Sequence, residues 1–240
     1  MIKALWHGGP QFKYEKGVFP IGTDSVLLAD FAKRTQIRKK NRAVDLGCGS
    51  GIISILLALD NKQLSIDSLE IQIQAVRLAV ENVRLSGLSE QIRVIEGDLR
   101  NCRDYLRPGA YDLSVSNPPY YEYSSGKSPK NDDSAAARGD VLCTLDDICK
   151  AAGILTRFGG AFIMTQKPER LAIAFQVISQ YGFEPKRLRF VQNSQSSPPN
   201  LVMIESRRGA KPSLKIEAPL ILKYDDGKDS DEIKTIYRLP

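Results

Sequence analysis

An α/β fold built on a mostly parallel sheet is predicted by three features of the 240 residues. From residue 43 onward, short apolar runs alternate with stretches of helical period. A glycine-rich turn, "LGCGSG", joins the first of these runs to an apolar helix. The last two apolar runs, "RLRFVQ" and "NLVMIES", have no helical pattern between them, as a closing antiparallel pair would.

Each element then has its own reason. "GTDSVLLADFAK" reads as a helix with Thr23 or Asp24 as N-cap and an apolar face behind it. "AVDL" is the first strand of the sheet, and "IISILLAL" the helix after the glycines. "SIDSLEI" is the second strand. After it, Ile73, Val76, Val80 and Val83 recur at helical spacing, with Gly87 as the stop. "IRVIEGD" and "YDLSVSN" are strands ending in polar residues. Residues 122–137, "EYSSGKSPKNDDSAAA", have no apolar period and read as a mobile loop. "LDDICKAAGILTRF" is a helix, "GGAFIMT" a strand, and "PERLAIAFQVISQYG" a helix opened by its proline. No internal repeat and no second large apolar unit occurs. The expectation is one domain over 1–240, with an N-terminal extension and helix in 1–42, a core in 43–206 and a C-terminal extension in 207–240.

Composition removes several classes of chemistry. No apolar run approaches the ~20 residues of a membrane span, and "MIKALWHGGP" lacks the apolar stretch of a signal peptide. The four cysteines, Cys48, Cys102, Cys143 and Cys149, form no C-x-x-C pair and read as reduced thiols of a cytoplasmic protein. His7 is the only histidine, which rules out H-E-x-x-H zinc sites; no metal is expected. The net charge of +6 is unevenly spread. Lys33, Arg34, Arg38, Lys39, Lys40 and Arg42 crowd one run without an acid, whereas the tail "DDGKDSDE" is acidic. A basic surface suits a polyanion such as nucleic acid, with a merely solvated face as the equal alternative.

The chemistry-bearing residues fall at predicted strand ends. Gly47, Gly49 and Gly51 let the backbone reach positive φ and let a ligand approach its N–H groups. The spacing G-x-G-x-G, preceded by Asp45, differs from the dinucleotide fingerprint G-x-G-x-x-G. It resembles motif I of the class I S-adenosylmethionine methyltransferases. Glu70 lies 21 residues after Gly49, near the offset at which an acid meets a ribose diol. Asp98 ends the third strand, where a carboxylate can accept from an adenine amino group. Asn117-Pro118-Pro119-Tyr120 follows the fourth strand and resembles motif IV of methyltransferases that act on conjugated nitrogens. An amino nitrogen conjugated to a ring is a poor nucleophile. Two rigid acceptors, the Asn117 side-chain oxygen and the Pro118 carbonyl, would localise its lone pair, and Tyr120 would offer an aromatic face to a base swung from its stack. No imidazole is needed.

From about Gly17 to Glu232, "GTDSVLLADF", "VDLGCGSG", "NPPY", "AAARGDVLCTLDDI", "KPERL", "EPKRLRFV" and "APLILK" together resemble the bacterial tRNA adenine-N6 methyltransferases, which modify the adenine just 3′ of the anticodon in a valine tRNA. That resemblance implies a Rossmann-like, seven-stranded sheet with an antiparallel last strand and helices on both faces. It implies S-adenosyl-L-methionine held by Asp45, Gly47, Gly49, Gly51, Glu70, Asp98, Leu99 and Asn117, with Asp24 closing from the N-terminal side. Asn117, Pro118 and Tyr120 would hold the base. The family's Ala-Arg-His-Glu stands here as Ala137-Arg138-Gly139-Asp140, without the histidine; Arg138 is a candidate phosphate contact or a surface charge. Rival readings are a glutamine-amide methyltransferase for release factors, a DNA adenine or ribosomal RNA enzyme, and a non-catalytic RNA-binding protein.

Overall fold

The computed structural model describes residues 1–15, 21–36, 41–118 and 143–239. Pro119, Tyr120, the 122–137 segment, Arg138, Gly139 and the basic residues Arg38, Lys39 and Lys40 lie outside the described residues.

A short hairpin, β1 (Ile2–Ala4) and β2 (Gln11–Lys13), precedes helix α1 (Thr23–Lys33). The sheet proper then alternates with helices: β3 (Arg42–Leu46), α2 (Ile52–Asp60), β4 (Ser65–Glu70), α3 (Ile73–Leu85), β5 (Ile92–Glu96), β6 (Tyr111–Ser116), α4 (Leu145–Leu155), β7 (Thr156–Gln166) and α5 (Leu171–Gln180). β8 (Phe183–Gln192) and β9 (Pro199–Arg208) form an antiparallel hairpin. The seven principal strands are ordered β5-β4-β3-β6-β7-β9-β8. Only β9 opposes its neighbours; the other pairings within the seven are parallel. The N-terminal hairpin was not legible beforehand, and neither were two features of the C-terminal part. The two-residue strands β10 (Lys215–Ile216) and β11 (Leu220–Ile221) extend the β8 edge to make nine strands, and α6 (Asp231–Ile236) closes the chain.

Strands flanked by helices on both faces are buried along their length, and β6 is buried at every position although Asp112, Ser114 and Ser116 alternate with its apolar residues. α1, α2 and the N-terminal hairpin cover one face, α4 and α5 the other. α2 is apolar almost all round and buries Ile52, Ile53, Ile55, Leu56 and Leu57. Each such side chain contributes roughly 1.5–3 kcal/mol relative to exposure, so helix and glycine turn are firmly seated.

Boundaries shift by a few residues for identifiable reasons. α1 is preceded by Gly22 in extended conformation rather than capped by the Thr23 or Asp24 side chain. α4 stops at Leu155, three residues short of expectation, because Thr156 is already extended and its hydroxyl meets Ser114 of β6 at 2.7 Å. α3 ends as expected at Gly87, whose φ is +67°. There the N–H groups of Gly87 and Leu88 close back on Arg84 and Val83, a Schellman stop. β5 ends at Glu96, so Asp98 does not end that strand; it caps the short 3-10 turn Leu99–Asp104. Among the described residues no helix is long and apolar enough to cross a membrane.

Candidate active site

β3 carries the chain into three successive left-handed glycines, Gly47 (φ 74°), Gly49 (φ 54°) and Gly51 (φ 81°). Only glycine adopts these angles cheaply. Among the described residues no atom lies within 4 Å of where a Cβ would stand on Gly47 or Gly49, so the turn is open above its backbone there. Gly51 instead faces α3, where a Cβ would sit 3.4 Å from Ala79. The turn is latched to the end of β4. Gly47 and Cys48 donate to the Leu69 carbonyl, and Gly49 donates to Glu70 Oε2 at 2.9 Å. Glu70 Oε1 accepts from Ile71 at 3.0 Å and Gln72 at 2.9 Å. Its carboxylate is therefore buried yet served by three backbone donors.

Asp45 lies beneath this turn with no exposed surface. Its Oδ2 accepts from Ser54 at 2.8 Å, and Ser54 also meets Ser68 at 2.8 Å. Oδ1 has no hydrogen-bond partner among the described residues. The Asp45 carboxyl is pushed up to about 7 as the balance of burial, which raises it most, the Ser54 bond, which pulls it down, and the charge of Glu70, which raises it. A buried oxygen left without a partner is costly unless a ligand meets it. An open glycine turn above an unsatisfied carboxyl fits a cofactor bearing a cationic amino group.

The remaining acids differ. Asp98 holds Arg100 through both oxygens, at 2.6 to 3.0 Å, and accepts from its backbone N–H. Arg100 keeps the Asp98 carboxyl below its ordinary value. Leu99 is buried in the core beneath α4. Asp24 is half-buried in the first turn of α1. Ile71, which the sequence did not single out, is 54 % exposed directly after Glu70. Its flat apolar surface at a strand end was detectable as an isoleucine following the strand's final acid.

The Asn117 corner leaves the neighbouring strand. Asp45 pairs with Val115 in register, so Gly47 and Asn117 each stand two residues beyond a matched pair. Ser116 donates to the Leu46 carbonyl at 2.8 Å and ties the two strand ends together. Asn117 Nδ2 donates to Ser25 of α1 at 2.9 Å, and its Oδ1 accepts from Thr165 of β7. Pro118 is buried. Ser25 and Thr165 were not among the sequence-derived candidates; nothing local to Asn117 points to partners 92 and 48 residues away.

Lys33, Arg34 and Arg42 of the basic run stand elsewhere. α1 starts at the Asn117 end of the sheet and carries Lys33 and Arg34 to the other end, where Arg42 opens β3. Five strand residues separate the two ends by roughly 17 Å. Arg34 pairs with Asp30 at 2.7 Å and lies 3.4 Å from Glu232. Arg42 stacks over Tyr111 and lies 3.7 Å from Asp67. All four cysteines are free thiols, and burial raises Cys143 to about 11, so it stays protonated. Among the described residues no group of three or more metal-ligating side chains is gathered.

A family model described as "Methyltransferase small domain" matches residues 11–131. The tRNA1(Val) (adenine(37)-N6)-methyltransferase of Dickeya chrysanthemi is 30% identical, over 98% of this chain and 94% of its own length. The protein of the same name from Tolumonas auensis is 31% identical, over 88% of this chain and 85% of its own. Among solved structures, an Agrobacterium tumefaciens protein described as a predicted O-methyltransferase superposes with a TM-score of 0.73 at 16% identity, covering 90% of this chain and 96% of that one. Geranyl diphosphate C-methyltransferase from Streptomyces coelicolor, in complex with S-adenosyl-L-homocysteine, gives 0.55 at 10% identity, covering 82% and 93%. These two likenesses concern the fold.

Proposed function

The chain belongs to the methyltransferase small-domain family, and on that premise we propose that it transfers a methyl group from S-adenosyl-L-methionine to the exocyclic N6 of an adenine in tRNA, next to the anticodon of a valine tRNA. The observation that carries this reading is the register of β3 and β6, which sets the glycine turn and Asn117 at the same level on adjacent parallel strands. Ligands of open α/β sheets lie at such carboxyl ends. The tRNA specificity follows the relatives from Dickeya and Tolumonas.

The cofactor supplies an electrophilic methyl group on a sulfonium. We assign its binding to Gly47, Gly49 and Gly51, to Asp45 through the unpartnered Oδ1, to Glu70 and Ile71, and to Asp98, Leu99 and Asp24 at the periphery. On the base, Asn117 Oδ1 and the Pro118 carbonyl would accept the two amino hydrogens and localise the nitrogen lone pair. The positive charge that develops on that nitrogen makes it acidic after attack, so no strong base is required. Tyr120 is assigned the aromatic face. We treat 1–240 as one unit, because Phe12 of the hairpin and Leu220 and Ile233 of the C-terminal extension share a core with α1 and α2. The run from Lys33 to Arg42 is proposed to meet the body of the tRNA rather than the anticodon loop, given the place of its described members Lys33, Arg34 and Arg42 at the far end of the sheet.

Incubating the purified protein with unmodified tRNA and methyl-labelled cofactor tests the reading. Label should appear as N6-methyladenine on nucleoside analysis. Label confined to the glutamine of a release-factor peptide would reassign the enzyme.

A further inference from the structure

We infer that Ser25 and Thr165 are positioning residues that set the Asn117 carboxamide for methyl transfer, a role resting on the reading of Asn117 as the acceptor for the target amine. Thr165 lies in β7 after Phe162, Ile163 and Met164, all four without exposed surface. A valine would fill that place with the same shape. A buried hydroxyl in such surroundings costs free energy unless it is bonded, and here it donates to Asn117 Oδ1. On the other side Ser25, in the first turn of α1, accepts from Asn117 Nδ2 at 2.9 Å.

The two contacts answer a specific need. The terminal torsion of asparagine is broad and two-fold, so packing alone does not fix the plane of its amide. The amine to be methylated has two hydrogens and requires the amide oxygen at a set position; an NH2 group there would oppose it. A carbonyl oxygen has two lone pairs, so the Thr165 bond is compatible with a second bond from substrate. Donation from Nδ2 to Ser25 also polarises the amide and strengthens the oxygen as an acceptor. The N-terminal helix and β7 thus meet at the side chain on which the chemistry turns.

Thr165→Val removes the donor and keeps the shape. It should lower kcat by about ten-fold or more, while cofactor Kd and KM for tRNA stay within about three-fold. Thr165→Ser should recover most of kcat, and Ser25→Ala should lower it by a smaller factor. In an Asn117→Ala background both changes should be silent, because residues acting through one group are not additive. An unchanged kcat in Thr165→Val overturns the proposal. So does a Thr165→Ser variant as slow as Thr165→Val, or losses that add in the Asn117→Ala background. A second readout needs no turnover. The Asn117 side-chain amide NMR signals, identified by their disappearance in Asn117→Ala, should shift or broaden in Ser25→Ala and in Thr165→Val. Unmoved signals overturn the clamp even if the protein methylates tRNA. Moved signals in a protein that methylates no adenine uphold the clamp and reject the proposed function instead.

Discussion

The glycine turn and the Asn117 corner leave adjacent strands at the same level, but they are held in different ways. The turn is fixed locally, by the next strand: the Leu69 carbonyl takes the N–H groups of Gly47 and Cys48, and the Glu70 carboxylate takes that of Gly49. The corner is fixed by side chains from distant elements, Ser25 on α1 and Thr165 on β7. The Leu69 part of this latch tolerates changes of side chain as long as φ is available, and the rest needs only the adjacent Glu70 carboxylate. A side-chain clamp depends on particular hydroxyls. Under the proposed assignment, the glycine turn should therefore fail through loss of cofactor affinity and stability, and the Asn117 corner through loss of rate.

The widest separation of the two is expected from Asn117→Ala. Turnover should fall by roughly 10²–10³ or more, the scale of losing one preorganised acceptor or donor, with cofactor Kd within about three-fold by calorimetry. Retained turnover would mean that the corner has been assigned the wrong task. Glu70→Ala should do the reverse. Three N–H groups lose their acceptor, costing about 2–3 kcal/mol and several degrees of Tm. Cofactor Kd should rise by about ten-fold or more, the worth of one charge-assisted contact, while kcat at saturation holds. A loss in kcat alone would erase the distinction.

Asp45 offers a pH-dependent version of the same contrast. Its folded value of about 7 stands above the ~3.9 of an unfolded aspartate. The folded state therefore binds the extra proton, and wild-type stability falls as pH rises from about 4 to about 7. Asp45→Asn removes that slope, so its Tm should gain on wild type across this window and keep the gap at pH 8 (cofactor absent). Parallel melting curves at pH 5 and 8 would show that burial does not hold the proton. The smallest effect is expected from the basic run. Replacing Lys39 and Lys40 by glutamate should weaken tRNA binding and flatten its salt dependence by about two charges, leaving kcat alone. An unchanged salt slope would remove that run from the tRNA surface.

What was legible in the sequence follows the same division. Gly47, Gly49 and Gly51, the strand before them and Glu70 signal through local spacing, since one β-α-β unit holds them all. The alternation of strands and helices was legible because each parallel strand is a short run carrying apolar residues, set between stretches of helical period. Asp98 was legible as an acid near a strand end, but its engagement with Arg100 was not, because two residues of separation permit many geometries. Ser25 sat in plain view within "GTDSVLL", yet a serine in a first helical turn is ordinarily a solvated or capping group. Asn82 escaped in the same way. This buried amide joins Lys13 of the hairpin to the Ser50 carbonyl of the glycine turn, and its partners lie 69 and 32 residues away. β10 and β11, two residues each, are too short to carry any period.

The most direct measurement is mass spectrometry of valine tRNA from cells with and without this protein. N6-methyladenine beside the anticodon should disappear with the protein and return with the wild-type chain but not with Asn117→Ala. The same modification persisting in cells that lack the protein, or restored by Asn117→Ala, would contradict it.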